Sequence, residues 1–368
     1  MPASLRRFYG ADGTAVSAGG SPAAGSKLSG AAMDAFLSKW QSLCKSSGSL
    51  RFIDINLRGV GQVMFQDNPL SGALFLIAIA WGSYSGGDPQ VAIAGLVAVI
   101  VGSLTAQWLR VDEESLHAGL YGFNAILVGL ALATFLAPGP LLWVYVLLGA
   151  AVSVVAKLAT TSVVKPWGGA LTFPFVLTTW LLLLATYGFS GLPGKALPSG
   201  NVVTALQPYQ ANPLQVIDLV RGVILSISQV FLKASGISAL FLLAGLAVNS
   251  FAAAAFAIVG SILAVLMAHL LGAESNLITS GLLGFSPVLT AIALGTVFYQ
   301  PGGRVMIYAA VATVFTVIVQ SALNVALRPF AIPALTAPFV LVTWLFLLPR
   351  QRLDKALVTA SEKHTAVA

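Results

Sequence analysis

The chain has 368 residues, 57% of them apolar and 8% charged, with a mean hydropathy of +0.90, whereas a soluble domain carries about 25% charge. This excludes a water-soluble globule and marks an integral membrane protein. The net charge of +7 does not indicate a nucleic-acid surface, because Arg6, Arg7, Lys27, Lys39, Lys45, Arg51 and Arg58 precede the first long apolar run and Arg350, Arg352, Lys355 and Lys363 follow the last, the positive-inside pattern with both termini cytoplasmic.

Residues 1–46 form a tail rich in Gly, Ala and Ser, expected to be disordered at first and helical near Met33–Leu43. Arg6-Arg7 is not followed by an apolar h-region, so no cleavable signal peptide is expected. A first unit, 47–190, holds a short apolar segment near 52–66 and longer runs near 69–85, 90–109, 116–136, 141–163 and 171–188. The connector 191–213 carries Pro193, Pro198, Pro208 and Pro213, breaker residues that separate two halves. A second unit, 214–349, repeats the order, with a short segment near 215–233 and runs near 236–251, 252–271, 279–298, 305–327 and 335–349. Residues 350–368 form a cytoplasmic tail.

The two units share sequence. Residues 171–184 and 335–348 match at 11 of 14 positions with a shift of 164, and residues 119–132 and 281–294 match at 7 of 14 with a shift of 162. Such a duplication in an apolar chain indicates a transport protein with its site between the repeats. A crossing helix needs about 20 apolar residues, so the two short segments are expected to enter halfway and return. Five crossings per unit is an odd number, which obliges the second copy to insert upside down. The expected fold is therefore all-α, with ten transmembrane helices and two re-entrant pore helices in two inverted repeats.

Three stretches in this order resemble the signature elements of the urea transporter family: Arg58-Gly-Val-Gly-Gln62-Val-Met-Phe65-Gln-Asp-Asn68-Pro69-Leu-Ser-Gly72, Gly119-Leu-Tyr-Gly-Phe-Asn124, and Ile332-Pro-Ala-Leu-Thr336-Ala-Pro338-Phe339. The resemblance covers about residues 50 to 349. It implies a bacterial-type member in the cell inner membrane, a homotrimer with one pore per subunit, and passive passage of urea or a similar small amide. Two departures stand out. The second pore segment keeps Gln229 but continues Ser235-Gly-Ile-Ser-Ala239 in place of Asn-Pro-x-x-Gly, and the first copy of the third motif begins Gly168-Gly169 in place of Leu-Pro.

Urea is neutral and planar with N–H donors along its edge, so a filter needs acceptors on one wall and flat apolar surfaces against the faces. Gln62 and Gln229 offer side-chain carbonyls, and Thr172 and Thr336 offer hydroxyls that donate and accept. Carbonyls at the end of a half-crossing helix lack intrahelical partners and are expected to face the pore. The family resemblance assigns the slot walls to Phe65, Phe123 and Phe285 with Leu127 and Leu289, and places Leu232 in the second pore segment. Taken alone, each polar residue reads as interhelical glue, and it is recurrence in both halves that favours a pore role. Asn68 and Asn124 read as braces, Pro174 and Pro338 as helix starters, and Gly119, Gly122, Gly281 and Gly284 as packing positions. Asp112, Glu113, Glu114 and Glu274 are expected at helix starts. Lys233 either caps the second pore helix or snorkels, with repulsion of cations as a further role.

Two rivals remain. An ion-coupled transporter or channel for other small amides or ammonia would also use inverted repeats, but needs an ionisable group at midplane, and only Lys233 stands out. A membrane amidase needs a nucleophile with a base in reach, whereas His117, His269 and His364 are scattered and Cys44 is the single cysteine. No cofactor, disulfide or metal pair is expected.

Overall fold

The structure is a computed structural model that describes residues 27–164, 169–198, 200, 212–299 and 302–349. The start of the tail, the middle of the connector, Gly168 and the C-terminal tail lie outside the described residues. Among the described residues all regular structure is helical apart from one isolated bridge between Leu136 and Gly194. The expected tail helix runs from Lys27 to Ser46 (α1). Trp40 of α1 donates from Nε1 to Asp54 Oδ1 at 2.7 Å, which ties it to the helix that follows.

Both short apolar segments form bent helix pairs. In the first half α2 (Gly48–Gly61) tightens into a 3-10 turn, Gln62–Met64, and stops at Phe65, whose φ of 63° lies in the left-handed region. Asn68 then restarts the chain by accepting from the Leu70 backbone N–H, with Pro69 at the first turn of α3 (Pro69–Ser85). Proline is at home there because its missing N–H would have had no partner. The two axes meet at 75°. The second half repeats this with α9 (Val216–Ser228), the turn Gln229–Phe231, Leu232 at φ 58° and α10 (Gly236–Asn249), bent by 71°. Ser235 caps α10 by accepting from Ser238 N–H. The missing Asn-Pro-x-x-Gly is thus replaced by another short polar cap with the same backbone geometry.

Among the described residues four helices are long and apolar enough to cross a membrane alone: α4 (Pro89–Trp108), α7 (Pro140–Val164), α11 (Phe251–Leu270) and α14 (Gly303–Leu327), the last extended by a 3-10 turn. The runs expected at 116–136 and 279–298 are not continuous helices. The first divides into α5 (Glu113–His117) and α6 (Gly122–Phe135). The second divides into α12 (Ser275–Thr279) and α13 (Phe285–Ile292), which runs on into a π turn over Ala293–Val297. The cause is a glycine at each break. Gly119 and Gly281 both have φ 74°, and a Cβ on them would lie 2.2 Å from Gly59 N and 2.4 Å from Ser226 N. The pore helices press directly onto these turns, where no side chain fits. Asp112 caps α5 by accepting from Ser115 N–H. The units close with α8 (Phe173–Ala185) and α15 (Ala337–Leu347), each with its proline, Pro174 or Pro338, in the first turn.

The halves interlock through bonds made twice. Ser71 Oγ on α3 donates to Gly245 O on α10 at 2.6 Å, and Ser238 Oγ on α10 donates to Ala78 O on α3 at 2.7 Å. Ser71 pairs with Ser238, and Ala78 with Gly245, at the same offset that separates Gln62 from Gln229. Trp180 Nε1 likewise donates to Pro333 O at 2.8 Å and Trp344 Nε1 to Gly169 O at 2.9 Å. Large apolar side chains such as Leu104, Val144, Leu148, Val155, Leu266 and Val311 point outward. In water that surface would drive aggregation, and in lipid it is matched to its solvent.

The contact between α2 and α3 gives a test of this packing. A methyl on Gly72 would lie 1.8 Å from Leu57 O, a backbone atom, whereas a methyl on Gly139 meets nothing within 4 Å. Gly72→Ala is expected to destabilise by about 3 kcal/mol or more, or to abolish folding, because the pore helix itself must move. Gly139→Ala serves as the silent comparison, and thermal melts in detergent with the yield of monodisperse protein distinguish the two.

Candidate functional site

The end of the first pore helix sets the site. Gln62 is buried, and its Nε2 donates to Ala118 O at 2.9 Å. A carbonyl only accepts, so that contact fixes the amide orientation and turns Gln62 Oε1 away with no partner of its own. Gln229 repeats the bond in the second half, its Nε2 donating to Ser280 O at 3.0 Å. Some of the helix-end carbonyls expected to face the pore are engaged by the turn. Gly61 O accepts from Gln66 N and Gln62 O from Phe65 N, and in the second copy Gln229 O accepts from Leu232 N. The left-handed residue curls the chain back over its own last turn, and the Gln62 side chain adds an acceptor without a partner beside it.

A narrow cavity of about 30 Å³ adjoins Gln62, with Phe65, Phe123, Thr172, Lys157 and Phe339 among its walls. That volume accommodates the centres of one or two water-sized molecules. Phe65 meets Phe339 edge to face with ring centres 6.1 Å apart, so flat apolar surfaces stand beside the acceptor. Ala118, which holds Gln62, also lines a wider recess of about 580 Å³ with Arg58, Asp67, Glu114 and His117. Arg58 is ion-paired there with both Asp54 at 2.7 Å and Asp67 at 2.6 Å, which pins the two sides of the re-entrant turn together.

Thr172 and Thr336 meet directly, with hydroxyl oxygens 2.6 Å apart. Each sits just before a helix, with φ −95° and −92°, and follows a leucine in the left-handed region, Leu171 at φ 50° and Leu335 at φ 52°. Neither hydroxyl caps its own helix, which leaves both for each other and for the cavity. The indole bonds of Trp180 and Trp344 reach across to the loops that carry the opposite threonine. Asn124 braces the first loop, donating to Leu171 O at 3.3 Å and accepting from Phe175 N–H at 3.0 Å. Its counterpart Ser286 is too short to do so, and its buried hydroxyl has no partner.

The sequence-identified residues therefore divide. Gln62, Phe65, Phe123 and Thr172 share the cavity wall, and Thr336 joins them through Thr172. Leu127, Leu232, Phe285 and Leu289 lie in the contiguous apolar core around them, with Gln229 at the end of the second pore helix. Lys233 does not line the cavity. It is buried against α3, where a Cβ on Gly82 would meet its Cβ and Cγ at 3.0 Å, and its charged neighbours are Asp88 and Lys195, themselves ion-paired. In the first half the equivalent Gln66 accepts from Asn249 Nδ2 at 2.9 Å. Asn249 corresponds to Gly82, so the glycine opens the space that the lysine stem fills. This geometry matches the snorkelling reading of Lys233.

Lys157 was not singled out by the sequence reading. It lies in α7 with Nζ 4.0 Å from the Tyr121 ring centre and 5.7 Å from that of Phe123. The available signal was a single cation inside a 25-residue apolar helix. Asp112 stands nearby. Burial pushes its carboxyl up, but hydrogen bonds from Ser115 and Tyr121 and the charge of Lys157 outweigh this and hold it below the usual carboxylate value.

The family model described as "Urea transporter" matches residues 53–351. Among curated proteins, the chain is 29% identical to Urea transporter 1 of Ovis aries over 304 residues, covering 82% of this chain and 77% of that protein. It is also 29% identical to Urea transporter 1 of Rattus norvegicus over 304 residues, covering 81% and 77%.

The threonine pair yields a stability test. Thr172→Val or Thr336→Val alone strands the other hydroxyl in a buried site, which costs about 1–3 kcal/mol, whereas removing both leaves no unpaired group. Each single variant is expected to melt below the parent and the double variant to lose less than the sum. Strictly additive losses would show that the hydroxyls act independently.

Proposed function

The chain belongs to the urea transporter family, and from that premise we propose that it is a passive channel for urea, selective through a narrow slot of acceptors between aromatic and aliphatic walls. The observation that carries this reading is the Gln62 carbonyl, buried, held by Ala118 and without a protein partner at a cavity with aromatic walls. It accepts a urea N–H while Phe65 and Phe123 lie against the faces of the solute, and Thr172 and Thr336 take the next bond inward. A hydrogen bond exchanged with water nets about 1 kcal/mol, so a series of such contacts passes the solute on and does not trap it. Gln229, Leu232, Phe285 and Leu289 form the corresponding half-site on the other repeat, with Leu127 behind Phe123.

The proposed architecture is ten membrane crossings plus two re-entrant pore helices, with residues 47–190 and 214–349 as inverted repeats and 191–213 joining them. The bonds exchanged between α3 and α10 and from each tryptophan to the loop of the opposite half support it, because a two-fold relation between halves generates such contacts in pairs. The cationic flanks support cytoplasmic tails at 1–46 and 350–368. The assembly proposed is a homotrimer in the cell inner membrane with one pore per subunit, on the strength of the family alone.

Proteoliposomes with stopped-flow light scattering test the channel. Urea flux is expected to follow its own gradient and to be unchanged when proton or sodium gradients are collapsed. Uphill accumulation abolished by an ionophore would instead identify a coupled transporter. Gln62→Leu and Gln229→Leu each delete one acceptor from the path and are expected to lower urea flux about tenfold, the effect of roughly 1.4 kcal/mol on a barrier. Normal flux through Gln229→Leu beside loss in Gln62→Leu would confine the filter to the first half.

A further inference from the structure

The slot as described is rich in acceptors, and that creates a difficulty. Gln62 Oε1, the threonine oxygens and the electron-rich ring faces that hold a urea N–H edge would hold a planar cation of the same shape better. Guanidinium has the size and flatness of urea, more N–H donors and a positive charge, and aromatic faces attract it. The acceptors themselves do not tell the two apart, and only the cost of stripping water from a charge opposes the cation.

Lys157 supplies the missing term. Among the described residues it is the one charged side chain on the wall of the Gln62 cavity. Its ammonium already occupies the aromatic surface that a cation would seek, 4.0 Å from the Tyr121 ring centre and 5.7 Å from that of Phe123. The opposite charge that acts on it, Asp112, is held in place by accepting from Ser115 N–H and the Tyr121 hydroxyl. The repeat sharpens the contrast. α7 and α14 have equal length and align residue for residue, with Tyr145 opposite Tyr308, and this places neutral Gln320 where the first half has Lys157. Gln320 is buried and donates from Nε2 to Asn324 Oδ1 at 3.2 Å, while its Oε1 has no partner. One half therefore carries a lysine and the other a neutral amide at the same place.

We propose that Lys157 is a specificity-determining residue of this channel. Its ammonium repels guanidinium and other small cations from the Gln62 cavity and donates a hydrogen bond to the carbonyl oxygen of urea while Gln62 accepts from the amide edge. Urea satisfies both groups at once, having a carbonyl acceptor beside its N–H donors. Guanidinium has no acceptor and meets like charge. The inference rests on the urea-channel reading and adds to it the means by which an acceptor-lined slot stays closed to cations.

The test compares urea flux with radiolabelled guanidinium flux through the full chain in liposomes. The parent is expected to pass urea and almost no guanidinium. Lys157→Met should raise the guanidinium-to-urea flux ratio about tenfold or more, since a unit charge within a few ångströms of the path is worth more than a kilocalorie even when well screened. Lys157→Arg should keep the ratio near that of the parent. An unchanged ratio in Lys157→Met, with urea still conducted, would overturn the proposal while leaving the channel reading intact, whereas a parent that fails to pass urea would sink both. A second measurement needs no variant. Guanidinium added to one face of parent liposomes at a time should slow urea flux from one face only, the face away from Lys157, and equal block from both faces would overturn the proposal.

Discussion

A helix that stops inside a membrane protein must dispose of its last carbonyls without water, and most of this architecture answers that constraint. In hydrocarbon an unpaired backbone group costs several kcal/mol, so a half-crossing helix survives only when its end is fastened by protein. Here the fastening is local and then tertiary. Phe65 and Leu232 adopt left-handed backbone so that the chain folds back onto Gly61, Gln62 and Gln229, and Asn68 or Ser235 restarts a helix at once. The turns holding Gly119 and Gly281 press on the side of each pore helix, and their neighbours Ala118 and Ser280 receive the glutamine amides. The side chain that ends up with a free acceptor is thus chosen by how the backbone was satisfied.

The second level of support comes from the opposite half. α3 and α10 exchange serine bonds, and the indoles of Trp180 and Trp344 each hold the loop in front of the other half's threonine. Because each loop is tied to the repeat that did not encode it, neither half-site has its geometry alone. The departures between the copies fall where this bracing differs. Asn124 braces its loop and Ser286 does not; Asn249 supports Gln66, whereas Gly82 gives way to the stem of Lys233.

Much of this was legible in the sequence because apolar periodicity and repetition are strong signals in lipid. The segment expected at 69–85 is α3, and the short segments ending near Asn68 and Lys233 are the first arms of the two bent pairs. The runs at 116–136 and 279–298 misled because apolar composition alone does not reveal a break. The glycines were visible at 119 and 281, but the pore helix that forces their left-handed backbone arrives from about 60 residues earlier in the chain. At the site, Gln62, Phe65, Phe123 and Thr172 were identifiable by motif and recurrence. Lys157 was not, since it lies outside every motif and its partners Tyr121 and Asp112 come from another element. The direct bond between Thr172 and Thr336 was equally hidden, because repetition places both residues at equivalent positions without stating that those positions touch.

That bond has a consequence for direction. Two hydroxyls facing each other cannot both donate to one another, so at any instant one is donor and the other acceptor. The mirror arrangement keeps the same bond with donor and acceptor exchanged. In the channel reading proposed above, a solute arriving from either side would meet the same pair of hydroxyls. Any rectification would then originate away from this pair, where the two copies differ, as at Lys157 and Gln320.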